Sequence, residues 1–309
     1  MRSRTAPCRL CGGSSVHIVS YDITHLGGYW ANLDASIPVV EIRRCSTYGS
    51  YFTYEVPASN LIEGQYMVDW DEYYADEEFS AEGKADRCLS QTRRFVPPRS
   101  RVMDIGGGNG AFSLAAAKEY DSWLQELTPS RSRRLKDAGV TILHSVDAAP
   151  EAAFDAITLW DVYEHVWPHD RFLGPIRRAL APTGLLLIEV PSPTRLVPLV
   201  LLLGHLSNTP RREVSFSQVC DFSHLQLTTR SELHHQLNAH GFDVVHSESL
   251  SELSYAGAVY ARRVIPSERL ATRVGSAMEW RPLRRAFLGD NKTFVVARPR
   301  SSSWARSGA

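Results

Sequence analysis

The stretch from Arg101 to Tyr120 constrains the fold of this 309-residue chain most. Arg101 to Ile105 reads as a buried strand, Gly106, Gly107, Gly108 and Gly110 make a turn, and Ala111 to Tyr120 is a helix of small residues. Glycines there let the backbone pass close to a ligand, which a Cβ would block. The alternation continues downstream. Ser122 to Leu127 is a second strand, a helix runs from about Ser130 to Asp137, and Val140 to Leu143 is a third strand. Phe154 to Trp160 is a fourth. The helix after it, about Asp170 to Ala181, has Phe172, Leu173, Ile176 and Leu180 at helical spacing. Leu185 to Val190 is a fifth strand, almost wholly apolar as the centre of a parallel sheet requires. Strands alternating with helices of this length imply right-handed βαβ units and an open, doubly wound α/β sheet.

Upstream and downstream of this core the pattern differs. Residues 1–60 have no helical periodicity and carry Cys8, Cys11 and Cys45, with β-type runs at Val39 to Arg43 and Ser50 to Tyr54. They are expected to form a small ribbon-like module. Residues 61–100 are acidic and aromatic and are expected to be a helical segment covering the ligand site at the glycine turn. Cap insertions are expected at about 191–229 and 251–290, and a flexible tail at 301–309. Thr229 and Glu232 make a capping box for a helix from Arg230 to His240, with Gly241 as its C′ residue. Phe242 to His246 and Thr293 to Ala297 are the last strands, and an amphipathic helix of about Ser267 to Leu288 is interrupted near Pro282.

Composition excludes several classes. Apolar residues make up 43% and charged residues 22%, as in ordinary soluble domains. The 34 basic residues are balanced by 34 acidic ones, which argues against a nucleic-acid binder and a polybasic membrane anchor. The longest apolar run, Leu196 to Leu206, is well short of the ~20 residues of a spanning helix. No apolar segment follows Met1 to Pro7, so a cytoplasmic protein is expected.

The glycines alone fit two nucleoside-type cofactors, because Gly106, Gly108 and Ala111 also match the dinucleotide fingerprint. Asp104 separates the two readings. A carboxylate inside the strand, two residues before the first glycine, suits a cationic amino-acid moiety and would repel a pyrophosphate. Glu126 closes the second strand, where it can accept both ribose hydroxyls of either cofactor. The run from Phe154 to Val166, with Asp155, Asp161, Glu164 and His165, ends the fourth strand.

Asp104 to Gly110, Glu126, Phe154 to His165 and Leu180 to Ile188 together resemble the ordered motifs of class I S-adenosylmethionine-dependent methyltransferases, over about residues 100–300. The segment from Asp221 to Leu233, with His224, Leu225 and Thr229, resembles the corresponding part of ubiquinone-type and natural-product methyltransferases. The resemblance implies a seven-stranded Rossmann-like sheet and a small-molecule C- or O-methyltransferase in a biosynthetic pathway. It also implies roles. Asp104 and the backbone of Gly106, Gly108 and Gly110 would hold the methionine part, Glu126 the ribose and Asp147 the adenine. Asp161 and Val162 would line the sulfonium side.

A general base is needed only if the acceptor carries a proton at working pH. His165, His169 and His224 are candidates because imidazole titrates nearest neutrality. A structural His165 bonded to a backbone carbonyl is the competing reading. Glu164 with His165 is also a partial ligand set for a divalent ion. Tyr73 or Tyr74 could lie against a sulfonium or simply pack. The leucines of 196–206 suit a cap over a lipophilic or aromatic acceptor, a homodimer face or a buried helix.

Cys8 and Cys11 form a knuckle, two thiolates on one tight turn. Cys45 stands where a second pair is expected, with Tyr48 in place of its last cysteine. The arrangement resembles a degenerate copy of the N-terminal zinc ribbon of related small-molecule methyltransferases. Zinc on three cysteines would need a fourth ligand, such as His17 or His25. Two other classes stay open at this level: an NAD(P)-dependent oxidoreductase, and a catalytically silent protein that keeps the cofactor site and acts through a partner.

Overall fold

The computed structural model describes residues 5–23, 39–56, 81–128, 132–208, 211–221, 223–252, 257–258, 261, 265 and 267–300. Tyr73, Tyr74, His25 and the tail at 301–309 lie outside them. The first element group is an antiparallel sheet of β1 (Thr5–Pro7), β2 (Ser14–Asp22), β3 (Val39–Cys45) and β4 (Tyr51–Thr53). Helix α1 (Ala81–Arg93) then leads into the main sheet. Its strands are β5 (Arg101–Ile105), β6 (Asp121–Gln125), β7 (Thr141–Leu143), β8 (Phe154–Trp160) and β9 (Leu180–Pro191). Later in the chain, β10 (Gln226–Leu227) joins the N-terminal sheet, while β11 (Phe242–Leu250) and β12 (Lys292–Pro299) complete the main one.

The main sheet has seven strands in the order β11-β12-β9-β8-β5-β6-β7. The pairs among β5 to β9 are parallel, and β12 runs antiparallel between β9 and β11. The strand order reverses between β5 and β8, so the crevice at their carboxyl ends is the place for a ligand. This is the Rossmann-like doubly wound sheet expected from the alternating pattern.

Helices α2 (Ala111–Ala116), α3 (Ser132–Asp137), α4 (His169–Ala179), α5 (Val197–Leu206), α6 (Arg211–Ser217), α7 (Arg230–Ala239), α8 (Glu268–Glu279) and α9 (Arg281–Leu288) accompany the strands. The central strands bury both faces. Met103, Ile105, Ile157, Ile188, Leu186 and Val295 pack with Leu173 and Ile176 of α4 and Leu233 and Leu237 of α7. Their immediate neighbours Val102, Ala156, Leu187, Phe294 and Val296 face the other way, against Ala85, Cys88 and Leu89 of α1 and Phe112 and Ala116 of α2. Side chains alternate across a strand, so a strand covered on both faces is apolar on both, save where a polar side chain such as Asp104, Thr158 or Glu189 meets a partner. Each fully buried Leu, Ile or Phe contributes about 1.5–3 kcal/mol.

Several boundaries differ from the sequence pattern. The helix after the glycine turn ends at Ala116, with turns to Tyr120. Strand β9 begins at Leu180, where it pairs with Phe154, and β11 runs on to Leu250 because β12 pairs with it to that end, past a bulge between Val244 and His246. The stretch at 191–229, expected as a cap, packs on the N-terminal module. Val197, Phe216, Val219 and Cys220 share a core with Val19, Tyr21, Val40, Ile42 and Tyr51. Strand β10 pairs Gln226 with Phe52 and Leu227 with Tyr51. Among the described residues no helix is long and apolar enough to cross a membrane.

Candidate functional site

The site is built at the carboxyl ends of β5, β6, β8 and β9. Gly106 has φ of 66° and donates its N–H to the Gln125 carbonyl at 2.8 Å, which turns the chain out of β5 and over β6. Gly107 cannot carry a side chain. Its Cβ would stand 2.5 Å from an Asp104 oxygen and 2.5 Å from Leu124 Cδ1. The turn therefore lies directly on the Asp104 carboxyl.

Asp104 is buried, and its Oδ1 accepts from Thr158 Oγ1 on the adjacent strand at 2.8 Å. Burial pushes this carboxyl up to about 7, with the Thr158 hydroxyl and Lys84 opposing the rise and Glu126 adding to it. Glu126 is also buried. One of its oxygens accepts from the Gly108 N–H at 2.8 Å and the other from the Leu127 N–H at 2.8 Å. The acidic end of β6 thus braces the glycine turn. Asp147 lies in a 3-10 turn, Val146–Ala148, whose N-cap Ser145 accepts from the Asp147 N–H at 3.1 Å. Its side chain is exposed, beside Arg178.

Asp161, just past β8, sits in the left-handed region with φ of 58°, an uncommon conformation outside glycine. Its carboxylate accepts from Lys292 Nζ at 2.7 Å and pairs with Lys84 Nζ at 3.0 Å. Burial alone would raise this carboxyl, but Lys292 and Lys84 outweigh it and hold it far below the usual range. Glu189, fully buried near the end of β9, pairs with Lys292 at 2.9 Å and with both terminal nitrogens of Arg87, one of them at 2.8 Å. Burial lowers Lys292, yet Asp161 and Glu189 bring it above its ordinary value. Lys84, Arg87, Glu189 and Lys292 are site residues that sequence reasoning missed. The available signals were weak: a lone acid in the apolar run of β9, and two of the chain's four lysines.

His165 ends a 3-10 turn, Tyr163–His165. Its Nδ1 is hydrogen-bonded to the Ser223 carbonyl, so Nδ1 carries the proton and Nε2 the lone pair. Burial lowers its basicity, partly offset by that carbonyl. Asp221 forms the turn that presents Ser223: one oxygen accepts from the N–H groups of Ser223 at 2.8 Å and of His224 at 2.6 Å. The His224 ring lies 4.7 Å from that of His165, centroid to centroid, and is more exposed. Glu164 stands 3.7 Å from His165 Nε2. Its carboxyl is buried, neither oxygen has a hydrogen-bond partner, and burial pushes it well up toward the neutral form. Ligand atoms of Glu164, His165 and His224 lie within 4.8 Å of one another. The trio can serve as proton acceptor or hold a divalent ion. His169 is instead buried, stacked on Tyr163 and 3.0 Å from Gln226 Nε2.

A second cluster lies in the N-terminal sheet. Cys8, Cys11 and Cys45 come together as expected, with Cys11 Sγ and Cys45 Sγ 3.6 Å apart. His17 is not with them; its Nε2 lies 3.0 Å from Ser20 Oγ. Glu232 of α7 completes the group. Cys88 and Cys220 are separate buried thiols.

The family model for a methyltransferase domain matches residues 80–247. Two relatives are ubiquinone/menaquinone biosynthesis C-methyltransferases named UbiE. That of Bordetella avium is 32% identical over 109 residues, 31% of this chain and 43% of the relative. That of Ralstonia pickettii is 34% identical over 106 residues, 30% of this chain and 44% of the relative. The match thus spans less than half the length of either. Among solved structures, the [4+2]-cyclase SpnF is similar with a TM-score of 0.51 at 16% identity, covering 80% of this chain and 98% of that one. A chain of the complex between the Haloferax volcanii Trm112 methyltransferase activator and a methyltransferase gives 0.50 at 15% identity, covering 75% and 98%. At these identities the likeness speaks to fold alone.

Proposed function

Because the chain belongs to the methyltransferase-domain family, we propose that it transfers the methyl group of S-adenosylmethionine to carbon or oxygen of a small-molecule acceptor. One observation carries this reading: the glycine turn lies at the reversal of strand order, directly on a buried carboxyl, with no side chain between them. That arrangement suits an ammonium group and leaves no welcome for a diphosphate. When bound, the cofactor supplies a methyl carbon already activated by a sulfonium. The chain's own part is to align the acceptor with it and exclude water.

In this reading Asp104, Gly106, Gly108 and Gly110 hold the amino-acid end. Glu126 exchanges the Gly108 N–H for ribose hydroxyls, and Asp147 lies toward the base. Asp161 presents no bare charge; with its two lysines it fixes the wall formed by β8, β9 and β12. His165 Nε2 takes the acceptor's proton as the new bond to methyl forms, with His224 beside it. The partnerless carboxyl of Glu164 favours a second reading for this trio, a divalent ion that lowers the acceptor's proton affinity. Activity unchanged after exhaustive chelation would remove the ion and leave the histidine.

The UbiE relatives favour carbon as the methylated atom, and an apolar quinone-like or aromatic acceptor in a biosynthetic pathway. On α5, Leu199, Leu202, Leu203 and Leu206 are exposed, which favours association of two copies through this helix. The three cysteines are proposed to hold structural zinc. Tetrahedral Zn–S bonds of about 2.3 Å place sulfurs ~3.8 Å apart, close to the Cys11–Cys45 separation.

Titration calorimetry with S-adenosylmethionine, S-adenosylhomocysteine and NAD tests the cofactor. Binding of the first two and not of NAD is expected. NAD binding alone would replace this reading with the oxidoreductase. Cofactor binding with no methylated product across a broad acceptor panel would point to a silent partner protein.

A further inference from the structure

We propose that Glu232 is the fourth ligand of a zinc site whose other ligands are Cys8, Cys11 and Cys45, so that the metal clamps the N-terminal sheet to helix α7. The inference rests on the zinc reading above and extends it to a residue of the methyltransferase domain. The three Sγ atoms and a Glu232 carboxylate oxygen all lie within 4.8 Å of one another. Cys8, Cys45 and Glu232 are buried, while Cys11 is partly exposed and leaves an entry path.

Glu232 is out of its ordinary place. In a capping box the third residue of a helix returns its carboxylate to the backbone N–H of the N-cap. Thr229 keeps its half, accepting from the Glu232 N–H at 3.4 Å. But the Thr229 N–H is taken by Ser50 Oγ at 2.9 Å, and the Glu232 carboxyl turns toward the cysteines. It is fully buried, with only the Ser50 hydroxyl and the Cys45 thiol beside it and neither oxygen in a well-formed hydrogen bond. A buried carboxyl without such a bond is costly unless a cation or donor meets it. A metal held by three thiolates supplies one.

Tyr48 stands at the position of the missing cysteine, and its ring stacks on His235 of α7 at 5.2 Å. The helix therefore docks where a fourth thiolate would otherwise point, and brings its own oxygen. The sulfurs receive backbone donors, as metal-bound thiolates require: the Tyr48 N–H lies 3.3 Å from Cys45 Sγ. Arg9 lies near Cys8 and Glu232 and offsets part of the negative charge of the ligand set.

The test uses the full chain. Elemental analysis is expected to give one zinc per chain. Zinc-edge X-ray absorption is expected to show three sulfurs at ~2.3 Å and one oxygen at ~2.0 Å, without imidazole scattering. Glu232→Cys is expected to give four sulfurs. Glu232→Gln is expected to release zinc to a chromogenic chelator at least tenfold faster. Zinc removal from the wild type is expected to speed hydrogen exchange in residues 8–13, 45–50 and 223–235, and not in 101–125. A chain that neither contains nor takes up zinc overturns the zinc reading itself. Zinc with imidazole in its shell, three sulfurs persisting in Glu232→Cys, or wild-type release from Glu232→Gln each overturns the Glu232 assignment while zinc stands.

Discussion

Asp104 makes the sharpest claim at the scale of single residues. Its carboxyl is raised to about 7 by burial, so near pH 6 most of the unliganded protein carries a proton there. A group raised in the folded state binds more protons folded than unfolded between about pH 4 and 7, so its contribution makes stability fall as pH rises through that window. The span corresponds to at most about 4 kcal/mol. Asp104→Asn is therefore expected to be more stable than the wild type at pH 8 and to have lost cofactor binding. An ammonium placed against Asp104 would restore its charge, so binding at pH 6 is expected to release a proton. Calorimetry in buffers of different ionisation enthalpy reads this directly; binding without proton release would take Asp104 out of contact with the cofactor. His165 has the opposite sense. Burial lowers it, so its Nε2 stays unprotonated below the ordinary imidazole value. His165→Ala is expected to lower kcat by roughly 10²–10⁴ with cofactor affinity held within a few-fold. In the wild type the acid limb of the rate profile should fall below pH 6.5. A variant with the wild-type rate would leave His165 as a structural group on the Ser223 carbonyl.

At the scale of elements, the wall formed by β8, β9, β12 and α1 depends on paired charges. Lys292 lies between the Asp161 and Glu189 carboxylates and is buried with Glu189. Lys292→Met keeps the stem and removes the charge, leaving two carboxylates with only Lys84 and Arg87. Breaking a buried pair in this way costs about 3–5 kcal/mol. The expected result is an unfolding free energy lowered by that amount in denaturant titration, with part of the loss recovered in Lys292→Met/Glu189→Gln. A single variant as stable as the wild type would show that the wall stands on apolar packing. Of this network only Asp161 stood out in the sequence, and for the sulfonium side rather than for its lysines, whereas β5, β8 and the glycine turn were legible. The difference is physical. The strand pattern and the turn are local, repeated every second residue or fixed by a missing Cβ. A charge network joins residues from α1, the turn after β8, β9 and β12, and the pairing of its members has no local pattern.

For the whole molecule, the decisive interactions join segments far apart in the chain. The cysteine knuckle was legible from spacing, but β10 pairing with β4, and Glu232 turned toward the cysteines, were not. Two residues of strand and one half-formed capping box carry no signal until position 50 meets position 229. The family model begins at residue 80 and leaves the N-terminal sheet out, yet that sheet shares its core with α5 and α6 and its edge with β10. Tyr21 Oη donates to the Cys220 carbonyl at 2.7 Å across the same boundary. Arg9 crosses it too. Its guanidinium donates to the carbonyls of Thr53 and Leu225, each at 2.7 Å, and stacks over Trp167 at 4.6 Å. Burial lowers it to about 10, so it stays charged at neutral pH. The two parts therefore cannot separate without baring apolar surface and breaking backbone bonds, and calorimetry is expected to show a single transition. Arg9→Met retains the stem but leaves the Thr53 carbonyl without this donor and removes the cation from Trp167. A loss of about 2–3 kcal/mol is expected from the hydrogen bonds and the ring contact. The single transition should move down in temperature as a whole. If it split in two, with only the lower part shifted, the N-terminal sheet would be an independent domain resting on the methyltransferase fold.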